Sequence, residues 1–196
     1  MGRLFIYDPH RRIEVWRFVS YMFVHKGLSH IVGNLLMQIL LGLPLEVFNG
    51  WRVIVVYLCG VLAGSMGTSL VTPDIYLVGA SAGVYSLLTA HLATIFLVKL
   101  EREDSKYIQL LLILPYIFFD VGNVVVNGMT QSIGYVAHLC GALTGIFIGI
   151  GVLRNLEEQK WERVCWWISI AIFVIFMTCG IVIHCICPDY FPNQYV

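Results

Sequence analysis

Long uncharged stretches alternate with short charged segments along this chain of 196 residues. Several of these stretches reach the roughly 20 residues that a helix needs to cross the hydrocarbon core of a bilayer. Backbone amides cannot remain unpaired in lipid, so each stretch is predicted to be a helix. The six predicted spans, labelled A to F in chain order, cover residues 28–48, 53–72, 80–98, 107–126, 135–153 and 164–187.

The composition favours a membrane protein over a soluble domain. Charged residues make up 12% of the chain, against roughly 25% in typical soluble domains. The formal net charge is zero, so the charge balance gives no support for a nucleic-acid partner. The predicted fold class is an all-α, polytopic transmembrane helix bundle embedded in the lipid bilayer.

The positions of the basic residues predict which loops face the cytoplasm. The A–B, C–D and E–F connections hold seven Lys and Arg residues, whereas the B–C loop, the D–E loop and the C-terminal tail hold none. The other five lie in residues 1–27, which the alternation of spans assigns to the opposite, non-cytoplasmic face. Because so basic a segment normally stays inside, we expect a further span upstream of it.

This topology divides the chain into five predicted parts. They are a non-cytoplasmic first-loop segment (1–27), a five-span core (28–153), a cytoplasmic loop (154–163), an extra C-terminal span (164–187) and a short tail (188–196).

Four polar residues inside the spans are predicted to lie at one depth, near the outer leaflet. His30 and Asn34 are four residues apart at the start of span A and therefore share a helix face. Ser81 opens span C, and His138 lies about one turn into span E. Since spans A, C and E all start on the non-cytoplasmic side, these four side chains converge on one layer. Polar groups in lipid are costly, so this layer is a predicted functional site.

The segment Gly79-Ala80-Ser81-Ala82-Gly83 has two interpretations. A Gly-x-Ser-x-Gly nucleophile elbow needs a strand before the serine, and none is predicted here. The alternative is a small-residue site for close helix packing, and a lone His138 is equally compatible with a buried, hydrogen-bonded histidine. Span E carries small residues at every fourth position, namely Ala137, Gly141, Gly145 and Gly149. This stripe predicts a close approach to the backbone of a neighbouring helix. If that neighbour is span C, Ser81 and His138 come within hydrogen-bond distance.

This arrangement suits nucleophilic catalysis by a Ser–His dyad. A serine hydroxyl is a weak nucleophile until a base removes its proton, and histidine is the usual base near neutral pH. His30, Asn34 and the backbone N–H of Ser81 are candidate donors to the oxyanion of a tetrahedral intermediate. Tyr85, one turn after Ser81, is expected to pack against the His138 ring and orient it.

Other polar residues are predicted to be structural. Asp120 in span D is expected to pair with another helix, and His91 and His184 are expected to be packing residues. Most of the six cysteines lie in apolar segments, as packing residues do. Cys185 and Cys187 lie near the end of span F, where a lipidated or disulfide-bonded pair is an alternative to packing. The sequence has no paired C-x-x-C arrangement, so zinc is not predicted.

These motifs resemble those of the rhomboid family of intramembrane serine proteases, over the region from Trp16 to about Leu153. The extra span F and the segment 16–23 are similar to the animal secretase branch of that family, the rhomboid-related proteins. The motifs that carry the resemblance are Trp16-Arg17, His30-x-x-x-Asn34, Gly79-Ala80-Ser81-Ala82-Gly83, Tyr85, Ala137-His138-Leu139-Cys140-Gly141 and Gly145.

The resemblance implies a serine endopeptidase that cleaves transmembrane proteins inside the membrane, with no metal and no cofactor. Ser81 would be the nucleophile and His138 the general base, with His30 and Asn34 as oxyanion donors. Supporting positions would be Gly79, Gly83, Tyr85 and Gly141, and Trp16-Arg17 would belong to a membrane-embedded first loop.

The resemblance also implies the substrates and the location. Substrates would be single-span proteins of the growth-factor-precursor type. The protein would lie in the secretory pathway or plasma membrane, with its site towards the lumenal or extracellular side. The family's first span precedes the Trp-Arg loop, which agrees with the upstream span expected from the charges.

Two other function classes stay open on the sequence alone. A catalytically inactive relative that binds transmembrane clients would share the fold, although such relatives usually lack the serine or the histidine. A transporter or channel would line a pathway with Ser81, His30 and Asn34, but it predicts repeated half-domains, and the sequence has no such symmetry.

Overall fold

The structure, a computed structural model, describes residues 2–97, 134–153 and 160–195. Two short helices come first, α1 (Gly2–Phe5) and α2 (Arg17–Ser20), with 3-10 turns at Pro9–Arg11 and Tyr21–Phe23. A third 3-10 turn, Pro188–Tyr190, lies near the C-terminal end. The long helices between these segments are α3 (Leu28–Asn49), α4 (Arg52–Val71), α5 (Ser81–Leu97), α6 (Tyr135–Val152) and α7 (Lys160–Ile186).

The long helices follow the hydropathy pattern closely. Helices α3 to α6 begin and end within one residue of the predicted spans A, B, C and E. Helix α7 begins at Lys160, four residues before predicted span F. Its first turn is charged and therefore lies outside the predicted span, but it is helical. Helices α3, α4, α6 and α7 are each long and apolar enough to cross a membrane. The predicted helical membrane bundle is confirmed; predicted span D and Asp120 lie outside the described residues.

Helix α4 lies at the centre of the described bundle. Of its most apolar 18-residue window, 61% is buried, against 17% for α3 and 11% for α7, so the described residues leave most of the surface of those two helices uncovered. Small residues let α4 contact α5 at backbone distance: a Cβ added to Gly60 would overlap Ser86, and one added to Gly64 would overlap Ala82.

Three connecting segments meet at the end of the bundle that holds Ser81. They are the first loop (residues 2–27), the Ser81 loop (72–80) and the tail (187–195). Tyr7 and Leu77 form an antiparallel bridge with N···O distances of 3.1 and 3.2 Å. The Tyr195 N–H donates to the His10 carbonyl at 2.9 Å. The first loop therefore contacts both of the other segments.

Candidate active site

Ser81 and His138 are joined by a hydrogen bond although 57 residues separate them in the chain. His138 Nε2 lies 2.7 Å from Ser81 Oγ, and both residues are half-buried. Ser81 is the first residue of α5, and His138 lies in the first turn of α6. The start of each helix therefore contributes one member of the pair.

Close helix packing makes this contact possible. A Cβ added to Gly141 would overlap the backbone carbonyl of Ala82, and one added to Gly145 would overlap the carbonyl of Ser86. These glycines lie one and two turns after His138, so the α6 backbone contacts the α5 backbone directly. The small-residue stripe predicted from the sequence does face α5.

The His138 ring is held between aromatic neighbours. The Tyr85 ring stacks on it with centroids 4.4 Å apart and an interplanar angle of 19°. Tyr135 approaches it edge-on at 6.5 Å. Stacking restricts rotation of the imidazole and keeps its Nε2 directed at Ser81, as expected for Tyr85.

His30 and Asn34 lie beside the Ser81 loop on one face of α3. Gly79 has φ +107°, a conformation that favours glycine, and a Cβ there would lie 2.6 Å from His30 Cε1. The Lys26 N–H donates to His30 Nδ1 at 3.2 Å, so the neutral ring carries its proton on Nε2. Asn34 is buried and donates one N–H to the His30 carbonyl at 2.8 Å, which leaves its second N–H as a donor.

A polar contact that was not predicted from the sequence lies directly behind this site. A Cβ on Gly83 would overlap the ring of Tyr57, so the missing side chain makes room for that ring. The Tyr57 hydroxyl accepts a hydrogen bond from Gln38 Nε2 at 2.9 Å. Gln38 follows Asn34 by one helical turn, a spacing that was visible in the sequence. The Tyr57 side chain thus extends from α4, passes Gly83 of α5 and contacts the polar face of α3.

Trp16 and Arg17 occupy different environments in the first loop. The Arg17 guanidinium is 1% exposed, pairs with Glu14 at 2.6 Å and donates to the Ile6 carbonyl at 3.0 Å. Trp16 is 53% exposed, and its indole N–H donates to the Leu4 carbonyl at 3.4 Å. Arg17 therefore stabilises the fold of the first loop, whereas Trp16 lies on its surface.

Burial keeps several first-loop side chains neutral. It raises the pKa of the Tyr7 phenol to about 12 and raises that of Tyr21 further. Burial lowers the pKa of His25, whose ring meets His30 edge-on at 5.0 Å. Burial therefore favours the uncharged form of the ring beside His30.

The helix end at which Ser81 lies adds donors to the site. The first N–H groups of a helix have no partner within it, so the Ser81 N–H is available to a ligand or substrate. Helix N-termini also favour negative charge. Among residues 2–97, 134–153 and 160–195, no group of three His, Cys, Asp or Glu side chains is arranged to hold a metal.

A second serine–histidine pair involves His184, which was expected to be a packing residue. His184 Nε2 lies 2.7 Å from Ser69 Oγ, and its Nδ1–H donates to the Gly180 carbonyl at 2.7 Å. His91, expected to be a packing residue, is buried with its Nε2 2.9 Å from the Leu41 carbonyl. A long-range partner of this kind leaves no periodic signal in a sequence.

Comparison with known proteins identifies the class of this helical bundle. The family model for the Rhomboid domain matches residues 12–155. The chain therefore belongs to the rhomboid family, and it is an integral membrane protein.

Its relatives include the rhomboid-related proteins of animals. The chain is 36% identical to Rhomboid-related protein 1 of Caenorhabditis elegans over 98% of its own length and 55% of the relative. It is 41% identical to Rhomboid-related protein 2 of Mus musculus, over 86% and 58%. It is also 28% identical to Inactive rhomboid-related protein 2 of C. elegans, over 84% and 48%. The chain spans about half the length of these relatives.

Proposed function

We propose that this protein is a serine endopeptidase that cleaves transmembrane proteins within the membrane. The observation that carries the proposal is the 2.7 Å hydrogen bond between Ser81 Oγ and His138 Nε2 at the start of two adjacent helices. A half-buried Ser–His pair at a helix N-terminus combines a base-activated nucleophile with anion-stabilising groups.

In the proposed reaction, Ser81 Oγ attacks the substrate carbonyl carbon while its proton passes to His138 Nε2. The resulting imidazolium donates this proton to the departing amine, which leaves an acyl group on Ser81. A water molecule, deprotonated by His138, then hydrolyses the acyl-enzyme and restores the serine hydroxyl. His138 thus acts as base and acid in turn, and Tyr85 keeps its ring in position.

Three donors are proposed to stabilise the oxyanion. They are the backbone N–H of Ser81, the Nε2–H of His30 and the second amide N–H of Asn34. The tautomer of His30 supports this role, because its Nδ1 already accepts the Lys26 N–H. The hydrogen bond from Asn34 to the His30 carbonyl fixes the position of the Asn34 amide relative to His30.

The proposed substrates are single-span proteins of the growth-factor-precursor type. Their scissile bond must lie in a helix-weakened segment, because a carbonyl hydrogen-bonded within a helix is protected from attack. The positions of Lys and Arg support a site near the outer leaflet, facing the lumen or the cell exterior. We propose a location in the secretory pathway or plasma membrane, and no cofactor.

A second candidate is an inactive rhomboid-like protein that binds transmembrane clients. A relative named Inactive rhomboid-related protein 2 supports it, at 28% identity. The two candidates differ in whether Ser81 reacts, and this can be measured directly.

The test is cleavage of a tagged single-span substrate by the full-length protein in proteoliposomes. We expect Ser81→Ala and His138→Ala to abolish product formation. Ser169→Ala, a buried serine in α7, is the matched control and should cleave normally. Folded protein that binds but never cleaves helix-weakened substrates would favour the client-binding candidate.

A further inference from the structure

We infer that the tail positions the active site by holding the first loop in place. The tail, residues 187–195, follows α7, and Arg12 and Phe191 form the main contact between tail and first loop. These two are positioning residues, since they act on Ser81 through the intervening loops. The kinetic part of this inference rests on the proposed protease function.

The Phe191 ring is the centre of the contact. It is 5% exposed, although it lies in a terminal segment. The Arg12 guanidinium lies 4.5 Å from its centroid, and the His184 ring stacks on it at 4.3 Å with an interplanar angle of 19°. A cation–π contact of this kind is strengthened when it is partly desolvated. Phe191 therefore joins the first loop to α7.

Hydrogen bonds extend this contact along the tail. Arg12 NH1 donates to the Pro192 carbonyl at 2.9 Å. His10 Nδ1–H donates to the Asn193 carbonyl at 2.9 Å, and the Tyr195 N–H donates to the His10 carbonyl at 2.9 Å. The Tyr195 ring also stacks on His10 at 4.6 Å. Several tail residues thus pair with His10 and Arg12, as expected of a specific docking contact.

The tail is itself fixed to the helix bundle at two points. His184, which stacks on Phe191, is hydrogen-bonded to Ser69 in the last turn of α4. The Tyr190 hydroxyl donates to the Leu70 carbonyl at 2.7 Å. Because both points belong to the end of α4, the tail connects the first loop to that helix.

The first loop in turn holds the segment that presents Ser81. Tyr7 pairs with Leu77 through two backbone hydrogen bonds, and the Gly79 N–H donates to the Tyr21 carbonyl at 3.1 Å. Leu77 and Gly79 lie four and two residues before Ser81. The Tyr21 hydroxyl donates to the Val61 carbonyl of α4 at 2.8 Å. A shift of the first loop would consequently shift the backbone leading into Ser81.

The experiment measures amide hydrogen exchange in the full-length protein in proteoliposomes. We expect Phe191→Ala and Arg12→Ala to raise exchange at Tyr7, Leu77 and Gly79 by about tenfold or more, since these amides are protected by first-loop hydrogen bonds. Ser169→Ala is the matched control. Ser169 is a buried residue of α7 that takes no part in the contact between tail and first loop, so exchange at the three amides should not change.

Cleavage kinetics provide the second measurement. Phe191→Ala and Arg12→Ala should each lower kcat about tenfold with less than about a twofold change in KM, because misplacement of Ser81 affects the chemical step. The double variant should have the same kcat as each single variant, since both substitutions remove the same contact. Phe191→Tyr, which keeps the ring, should restore kcat.

The outcomes separate the two proposals. Unchanged exchange at Tyr7, Leu77 and Gly79 in both alanine variants would overturn the positioning role, whatever the activity. Raised exchange in a protein whose unmodified form never cleaves would support the tail contact and count against the protease. Additive kcat losses in the double variant would show that Arg12 and Phe191 do not act through one contact.

Discussion

Two serine–histidine hydrogen bonds in this molecule have the same length but opposite surroundings. Ser81 and His138 join α5 to α6, while Ser69 and His184 join α4 to α7, each with a separation of 2.7 Å between Oγ and Nε2. Ser69 has an exposed fraction of 0%, whereas Ser81 is half-buried. Of these two serines, only Ser81 has an exposed surface.

The two serines also lie at opposite ends of their helices, which is a second difference between the two pairs. Ser81 is the first residue of α5, where backbone N–H groups are available and the helix dipole favours negative charge. Ser69 lies in the last turn of α4, where the available groups are carbonyls. An oxyanion would be stabilised beside Ser81 and destabilised beside Ser69. A hydrogen bond between serine and histidine is therefore insufficient evidence of a catalytic pair.

The largest effect expected from this comparison is on reaction with a fluorophosphonate, which modifies activated serines. The unmodified protein should be labelled at Ser81, and Ser81→Ala should reduce labelling by about 10⁴-fold or more. Ser69→Ala should reduce it by no more than about tenfold. Mass spectrometry of the labelled peptide measures both. Labelling of Ser69 in the folded protein would contradict the distinction.

The donors around Ser81 should produce the next largest effect. His30→Ala and Asn34→Ala are each expected to lower kcat by about 10²- to 10³-fold, because each removes a proposed oxyanion donor. Thermal unfolding of the same variants serves as the control for folding. A loss confined to KM, with kcat unchanged, would assign His30 and Asn34 to substrate binding instead.

Glycine substitutions near the two pairs should differ in severity. Gly141, one turn after His138, faces the backbone carbonyl of Ala82, which cannot move aside. Gly180, one turn before His184, faces Sδ and Cγ of the Met66 side chain, which is unbranched and flexible and can adopt another rotamer. We expect Gly141→Ala to lower kcat about a hundredfold and to destabilise the fold by about 3 kcal/mol.

Gly180→Ala is the matched control, with an expected cost below about 1 kcal/mol. Thermal unfolding and cleavage of both variants measure the difference. Equal effects of the two substitutions would show that the contact between α5 and α6 tolerates an added Cβ as well as the contact between α4 and α7 does.

The smallest effect should come from the ring that orients His138. Tyr85→Ala removes the stacking partner at 4.4 Å and should lower kcat about tenfold. Tyr85→Phe keeps the ring and should retain most of the activity, within about threefold. Cleavage rates of the two variants measure this directly. A larger loss in Tyr85→Phe would indicate that the hydroxyl, rather than the ring, is the important group.

Much of the architecture follows from the sequence because hydropathy is a local property. Helices that cross a membrane must be apolar over their whole length, so the bounds of α3 to α6 matched their predicted spans within one residue. The alternation of spans also predicts that His30, Ser81 and His138 lie at one depth. The spacing of Gly141 and Gly145 indicated which face of α6 approaches a neighbouring backbone.

Only the tertiary structure decided which side chains meet. His184 had no visible partner in the sequence, yet it is bonded to a serine 115 residues away. The Tyr57–Gln38 contact and the docking of the tail on Arg12 likewise depend on how separate helices and loops pack. Hydrophobic periodicity identifies the buried face of a helix, but the groups opposite that face are determined by packing with distant segments of the chain.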